Sequence, residues 1–339
     1  MTAQTSALYT LSPRTVHKPL KPWKSFADQL AQLQARGLLV DDKPRALHDL
    51  RRIGYYRLSG YWYPMRCIDG GTSETQGQTV RSDDFLSGSQ FGDVVRLYVF
   101  DKKLKLLALD ALERIELAVR VDVAHTLGAR DPMAHENPAC LHGHFTKKTI
   151  GHGPTQGRTR HEVWLDKYQT LLRRARKQAF VQHHEMQYGQ LPIWVAVEVW
   201  DFGLLSQLFA GMTHADQETV AKNYGFARGK AFAQCLRSLN FIRNVAAHHG
   251  RLWNLNVLER AAVPLGQTLS VDNARPYFYF CLMQQLLRVI CPKSQWGRRF
   301  VQLLREEFPA PKNHVFSLAD MGAPPDGHAH VLWQESVHK

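Results

Sequence analysis

Arg243, Asn244, His248, His249 and Arg251 lie together in the stretch Leu239-Asn240-Phe241-Ile242-Arg243-Asn244-Val245-Ala246-Ala247-His248-His249-Gly250-Arg251-Leu252-Trp253-Asn254. An ordinary imidazole exchanges a proton near neutral pH. A guanidinium stays charged, and its planar fork matches phosphate oxygens two at a time. A carboxamide orients either group through neutral hydrogen bonds. Such a set suits proton transfer beside a phosphate. The competing reading makes Arg243 and His248 helix-packing and dipole partners.

Positioning these groups requires a helix. At about 100° per residue, Asn244 and His248 share a face, Arg251 returns to the His248 side, and Arg243 diverges from His248 by about 140°. Asn244, His248 and Arg251 are therefore expected to cluster directly. Arg243 needs a helix end, a long reach or a neighbouring helix, and Gly250 offers such an end. A second arginine and histidine at the same spacing, Arg120 and His125, close a strongly helical stretch. Either Arg120 pairs with Glu116 at i, i+4 and His125 caps the helix, or both join the principal motif.

Lys and Arg total 43 against 30 Asp and Glu, a formal net charge of +13 over 339 residues. That balance favours a polyanionic partner, nucleic acid first. Cys67, Cys140, Cys235, Cys281 and Cys291 form no C-x-x-C pair and read as free thiols in a reducing compartment. No run of about 18 apolar residues and no secretion signal is present, so a cytoplasmic protein without a membrane partner is expected.

Residues 1–20 read as a flexible leader. Phe26, Leu30 and Leu33 stand at helical spacing ahead of Arg36-Gly37, and a second helix runs through Leu47, Leu50 and Ile53. The phrase Tyr55-Tyr56-Arg57-Leu58-Ser59-Gly60-Tyr61-Trp62-Tyr63 either plugs a small core or stacks unpaired bases and holds phosphates. Residues 68–84 read as a loop. From Phe91, Leu97, Leu104, Leu107, Leu112, Ile115 and Val119 line a long core helix.

Cys140, His142, His144 and His152 lie in an irregular segment over 128–157, without the paired spacing of a zinc site, so no metal is expected. Residues 161–185 read as one helix, where Arg173 and Arg174 belong either to a solvated face or to a phosphate-tracking surface. Another apolar helix runs through Val197 to Trp200 and carries Glu198, which is either plainly exposed or orients a basic site residue. Phe232, Cys235, Leu236, Leu239 and Ile242 mark the helix leading into the motif, and two more helices cover 277–290 and 296–304.

Arg243-Asn244-x-x-x-His248 resembles the R-N-x-x-x-H pattern of HEPN ribonucleases. Arg-Asn-Val-Ala-Ala-His-His-Gly-Arg-Leu-Trp-Asn (243–254) closely resembles the C-terminal signature of the Abi-like family (AbiD and AbiF type) of bacterial abortive-infection proteins. Tyr-Tyr-Arg-Leu-Ser-Gly-Tyr (55–61), residues 109–120 and the W-x-x-x-E-x-x-x-F-G-x-L-S character beginning at Trp194 are similar to the same family. The resemblance spans residues 21–305 in pieces. It implies an all-α protein with a HEPN-like helical bundle over 85–308, preceded by an N-terminal helical region and linker over 21–84; the proline-rich residues 309–339 read from their composition as a flexible tail.

By the same resemblance, the Arg-x4-His motifs meet either within one chain or across a homodimer, and the activity is phage defence by RNA cleavage. RNA carries its own nucleophile, the 2′-OH, so such a nuclease needs proton acceptors and donors and positive charge at the phosphate, without metal or cofactor. The catalytic set expected is Arg243, Asn244 and His248, with Arg120 and His125. RNA contacts are expected from His249, Arg251, Arg57, Tyr55, Tyr56, Arg173 and Arg174. Two competing readings are a non-catalytic module holding a structured or non-coding RNA, and a DNA-binding regulator built on residues 44–66.

Overall fold

Ser25 and Asp42 accept hydrogen bonds from the amides of Asp28 and Arg45, capping α1 (Phe26–Ala35) and α2 (Lys43–Ile53). Gly54, at φ 94°, turns the chain between α2 and α3 (Tyr55–Trp62). The computed structural model describes residues 20–68, 80–261, 271–325, 327 and 331–333. Apart from Leu20, the expected leader lies outside them, as do Gly70, Gly71 and Gly77 of the expected loop.

That loop is bounded by an antiparallel ladder of β1 (Arg66–Ile68) and β2 (Arg81–Phe85). Charged groups support it: Arg81 Nη1 donates to the Pro64 and Arg66 carbonyls at 3.0 and 2.6 Å, and Asp83 pairs with Arg36 and Arg66. Pattern reading missed these strands because apolar alternation is weak in Arg-Ser-Asp-Asp-Phe.

The fold is predominantly all-α, and its axis is the 38-residue α4 (Phe91–Gly128). Leu97, Leu104, Ala108, Leu112, Ile115, Val119 and Val123 recur at helical spacing and are buried. Arg120 and His125 sit inside this helix instead of ending it. The helix continues because Val123, Ala124 and Leu127 keep packing as far as Gly128, where a Cβ would stand 3.1 Å from Ile193 Cγ2.

After α5 (Gly143–Thr146), the helix expected over 161–185 is two, α6 (Arg160–Ala175) and α7 (Ala179–Tyr188). The basic run offers little to bury there, and Gln178 N closes a turn on the Ala175 carbonyl at 2.8 Å. The expected helix through Trp200 shortens to α8 (Ile193–Ala196) and one 3₁₀ turn, because Asp201 stays extended to cap α9 (Phe202–Gly211). Then come α10 (His214–Asn223), α11 (Gly229–Ala247), α12 (Pro276–Ile290) and α13 (Trp296–Gln302). Helices α3, α11 and α12 all pack on α4. One continuous core joins Leu30 and Trp62 to Trp164, Trp253 and Trp296.

Part of the expected tail is packed against the core among the described residues. Phe308 meets Phe100 at 5.0 Å and Phe316 meets Trp253 at 5.9 Å between ring centroids, while Met321 is buried. Trp333 Nε1 donates to the Tyr277 hydroxyl, which donates to the Gly327 carbonyl. Proline-rich composition removed the helical period without removing the contacts. No helix among the described residues is long and apolar enough to cross a membrane.

His135 makes one pH effect explicit. It is fully buried among Tyr168, Trp200 and Trp164, and neither ring nitrogen has a hydrogen bond among the described residues; Glu136 stands 3.6 Å from Nε2. Burial first, then the His161 charge, pulls its pKa down to about 4, with Asp131 opposing. An unfolded histidine titrates near 6.5, so between these values the unfolded chain takes up a proton that the folded chain refuses. Its contribution is intact above about pH 6.5 and falls by up to about 3 kcal/mol on acidification to pH 4. Urea unfolding from pH 7 to 4.5 should show this loss, and His135→Phe should flatten it; an unchanged acid limb in the variant would assign the loss elsewhere.

Candidate active site

Phe232, Cys235, Leu236, Leu239, Ile242 and Ala246 bury one side of α11, leaving Asn240, Arg243 and Asn244 half-buried at its margin. The helix stops at Ala247. His249 N donates to the Ala246 carbonyl at 3.3 Å and Gly250 N to the Val245 carbonyl at 2.8 Å, the paired bonds of a Schellman closure. The left-handed position, φ 59°, falls on His249 instead of the expected glycine. Gly250 serves close approach: a Cβ there would lie 2.9 Å from Val245 Cγ1 and 3.1 Å from its carbonyl oxygen.

Both imidazoles, His248 and His249, are exposed on this turn. A left-handed conformation costs a non-glycine residue about 1 kcal/mol. His249→Gly should therefore raise stability by about that amount in urea unfolding. A loss of stability would mean that the histidine side chain itself supports the turn.

Arg251 does not return to the His248 face, because the helix has ended. Its half-buried guanidinium donates to the Gly60 carbonyl on α3. Burial lowers its pKa, opposed by Tyr61 and Asp101. Arg57 Nη1 donates to the His249 carbonyl at 2.7 Å, and Lys105 Nζ to the Gly250 carbonyl at 3.1 Å. Arg57, expected at RNA, thus holds the backbone of the turn that presents the histidines, and Arg251, also expected at RNA, ties the end of that turn to α3.

Beneath the grip lies Asp101, fully buried. Its Oδ2 accepts from Tyr61 Oη at 2.7 Å and from Lys105 Nζ at 3.0 Å. Its Oδ1 accepts from the amides of Leu252 and Trp253 at 3.0 and 2.7 Å. Burial and then the Asp101 charge push the Tyr61 hydroxyl above its usual pKa, so it stays a donor. Sequence reading missed this anchor, although an acid midway between Leu97 and Leu104 on the buried stripe was its signal.

Arg243 Nη1 donates to Asn244 Oδ1 at 3.2 Å. Facing it on α4 is Glu116, whose carboxyl burial raises above the usual carboxylate range; Arg120 and then Arg243 oppose that rise, and Asp201 adds to it. Arg120 Nη2 donates to Glu116 Oε1 at 2.5 Å and to the Trp200 carbonyl, and its Nη1 stands 3.9 Å from Glu198 Oε2. Glu198 is thus both half-exposed and paired with a basic residue.

The arginines of the two Arg-x4-His motifs therefore share the field of one carboxylate within the chain. Their histidines do not converge. Lys105 marks the level of the α11 end on α4, and His125 lies about 20 residues further on, about 30 Å of helix rise away. There His125 lines a separate groove of about 460 Å³ with Val121, Trp194 and Glu198.

Among the other expected RNA contacts, Tyr55 is half-buried edge-on against Trp62 at 4.9 Å, whereas Tyr56 is 92% exposed. Arg173 and Arg174 are exposed on α6. Arg174 and Lys167 line a groove of about 420 Å³ that reaches Asp201 and Gly203. A Cβ on Gly203 would be 3.6 Å from Asn240 Nδ2, so the groove ends at α11 about one turn before Arg243. His142 instead lies tilted against His214, with ring centroids at 4.6 Å. Among the described residues no group of three or more His, Cys, Asp or Glu is placed to hold a metal ion.

A family model described as Abi-like protein matches residues 48–254, from within α2 to the turn beyond α11. No curated protein and no solved structure matches the chain.

Proposed function

The chain belongs to the Abi-like family, and from that premise we propose that it is a phage-defence endoribonuclease with the end of α11 as its active site. The observation that carries this reading is the exposed His248 imidazole at a clamped helix end, one turn from the half-buried Arg243–Asn244 pair.

In the proposed reaction the 2′-oxygen of RNA attacks the adjacent phosphorus and the bond to the 5′-oxygen breaks. A base takes the 2′-OH proton, and an acid supplies one to the departing oxygen. His248 exchanges these protons. Arg243 neutralises the phosphoryl oxygens as charge builds on them. Asn244, bonded to Arg243, orients it.

Arg120 acts through Glu116, holding the carboxylate that faces Arg243. RNA follows the Arg174 groove toward α11, with Arg173, His249 and Tyr56 as outer contacts. A homodimer would place the second copy's His248 opposite the first and supply the other proton-transfer group.

The test is incubation of the purified protein with labelled single-stranded RNA and matched DNA in EDTA. RNA should be cut to 2′,3′-cyclic phosphate and 5′-OH ends while DNA stays intact. RNA that is bound firmly but never cut, even with phage-infected extract added, would replace the nuclease with a module that only holds RNA.

A further inference from the structure

A cavity of about 640 Å³ opens between α5, α6, α9, α10 and the first half of α11. Arg160, Lys230 and Arg237 line it, with His142, His144 and His214, and among the described residues no carboxylate does. Neither Arg160 nor Lys230 has a hydrogen bond or ion pair among the described residues. Arg237 donates to Gln234, and the Glu259 carboxylate is 4.0 Å from its Nε. Arg160 and Lys230 line the cavity without a neutralising acid, and Arg237 has only the Glu259 carboxylate at 4.0 Å, so the mutual repulsion of the three favours an anion between them.

A second observation is independent of charge. Ser206 is only 2% exposed, lines the cavity, and its hydroxyl has no hydrogen-bond partner among the described residues. Buried hydroxyls normally find partners, and one left without a protein partner at a cavity wall is suited to a ligand atom. The neighbouring Gln217 shows the contrast, with its Nε2 donating to the Ala210 and Met212 carbonyls at 3.1 and 2.9 Å.

Size and lining narrow the ligand. Phe145, Ile150, Val163 and Ala210 give the cavity an apolar side beside its cations. A lone phosphate would leave that side wet, and an apolar ligand would leave the cations unanswered. The volume falls within the roughly 300–1,000 Å³ of small-molecule sites.

We propose that this cavity is a nucleotide site, in which Arg160, Lys230 and Arg237 hold the phosphates, Ser206 hydrogen-bonds the ligand, and the base lies against the apolar side. The site is separate from the α11 end: Arg237 and Arg243 share that helix but differ by about 9 Å of rise and about 120° of rotation. The ligand is either a free nucleotide or the phosphorylated end of an RNA, since both present the same groups.

Calorimetric titration of the full chain separates these sources and needs no RNA cleavage. The probes are ATP, adenosine, inorganic triphosphate, and one RNA oligonucleotide with a 5′-phosphate or a 5′-hydroxyl. A free-nucleotide site binds ATP at least about tenfold more tightly than adenosine or triphosphate; an RNA-end site prefers the 5′-phosphorylated oligonucleotide by a similar factor. In either case Arg160→Gln and Lys230→Gln should each weaken binding about tenfold or more. Ser206→Ala should weaken it less, and Arg298→Gln, on an exposed surface outside the cavity, should leave it unchanged. Arg160 and Lys230 are exposed, so matching thermal melts will show that their variants are folded. Absence of both preferences, or equal weakening by Arg298→Gln, overturns the proposal.

Discussion

Replacing His248 by Ala is expected to slow RNA cleavage by about 10²–10⁴-fold, the usual range for losing a positioned proton-transfer group. Arg243→Ala should cost a factor of about 10²–10³, as charge on the phosphoryl oxygens loses its counterpart. Neither loss should come from unfolding. His248 is exposed and makes no side-chain hydrogen bond among the described residues, so its truncation should move stability by no more than about 0.5 kcal/mol. Single-turnover cleavage measured beside RNA affinity and urea unfolding separates the contributions. Arg243→Lys adds a sharper comparison: it keeps the charge but loses the fork, and should recover binding better than rate. A His248→Ala protein that cuts at the wild-type rate would remove this histidine from the chemistry.

The largest stability effect belongs to Asp101. Its carboxylate is fully buried, answers Lys105 and accepts from Tyr61 and two backbone amides. Asp101→Ala leaves the Lys105 ammonium and those donors without their acceptor and should cost about 3–5 kcal/mol. Asp101→Asn, which can still accept from an amide, should fall at the lower end. Removing both charges with Asp101→Asn and Lys105→Met should recover part of the loss, because much of it is the uncompensated ammonium. Urea midpoints read all three, and an Asp101→Ala protein within 1 kcal/mol of wild type would contradict the assignment. Cleavage should fall with stability even in surviving folded protein, since Asp101 holds the chain immediately beyond the histidine turn.

Much of this was legible in the residues. The spacing of Leu97, Leu104, Leu112, Ile115 and Val119 announces α4, and the crowding of Arg243, Asn244 and His248 marks the candidate site whatever the surrounding fold. What stayed hidden were partners distant in sequence. A guanidinium has the same composition whether it meets a phosphate or a carbonyl, so nothing local said that Arg57 and Arg251 would turn inward to the His249 and Gly60 backbones. Helix rules placed the left-handed residue on Gly250, but contact with Val245 requires the glycine there and leaves His249 in that conformation. Phe316 and Trp333 lacked periodicity because their partners lie on other elements. The cavity around Ser206 draws its cations from α6 and α11, between which no sequence pattern runs.

The grip on the histidine turn also sets an order of assembly. Arg57 reaches across 192 residues to His249, Arg251 across 191 to Gly60, and Asp101 across 151 to Leu252. Contacts of such separation close late, because chain entropy opposes them until both partners exist. During synthesis α3 and α4 must therefore wait, with Asp101 and Lys105 unanswered by the turn, until residues 249–253 emerge. A chain truncated before that point contains most of the helices but not the clamped histidines, so an unfinished copy lacks the proposed active site by its own topology.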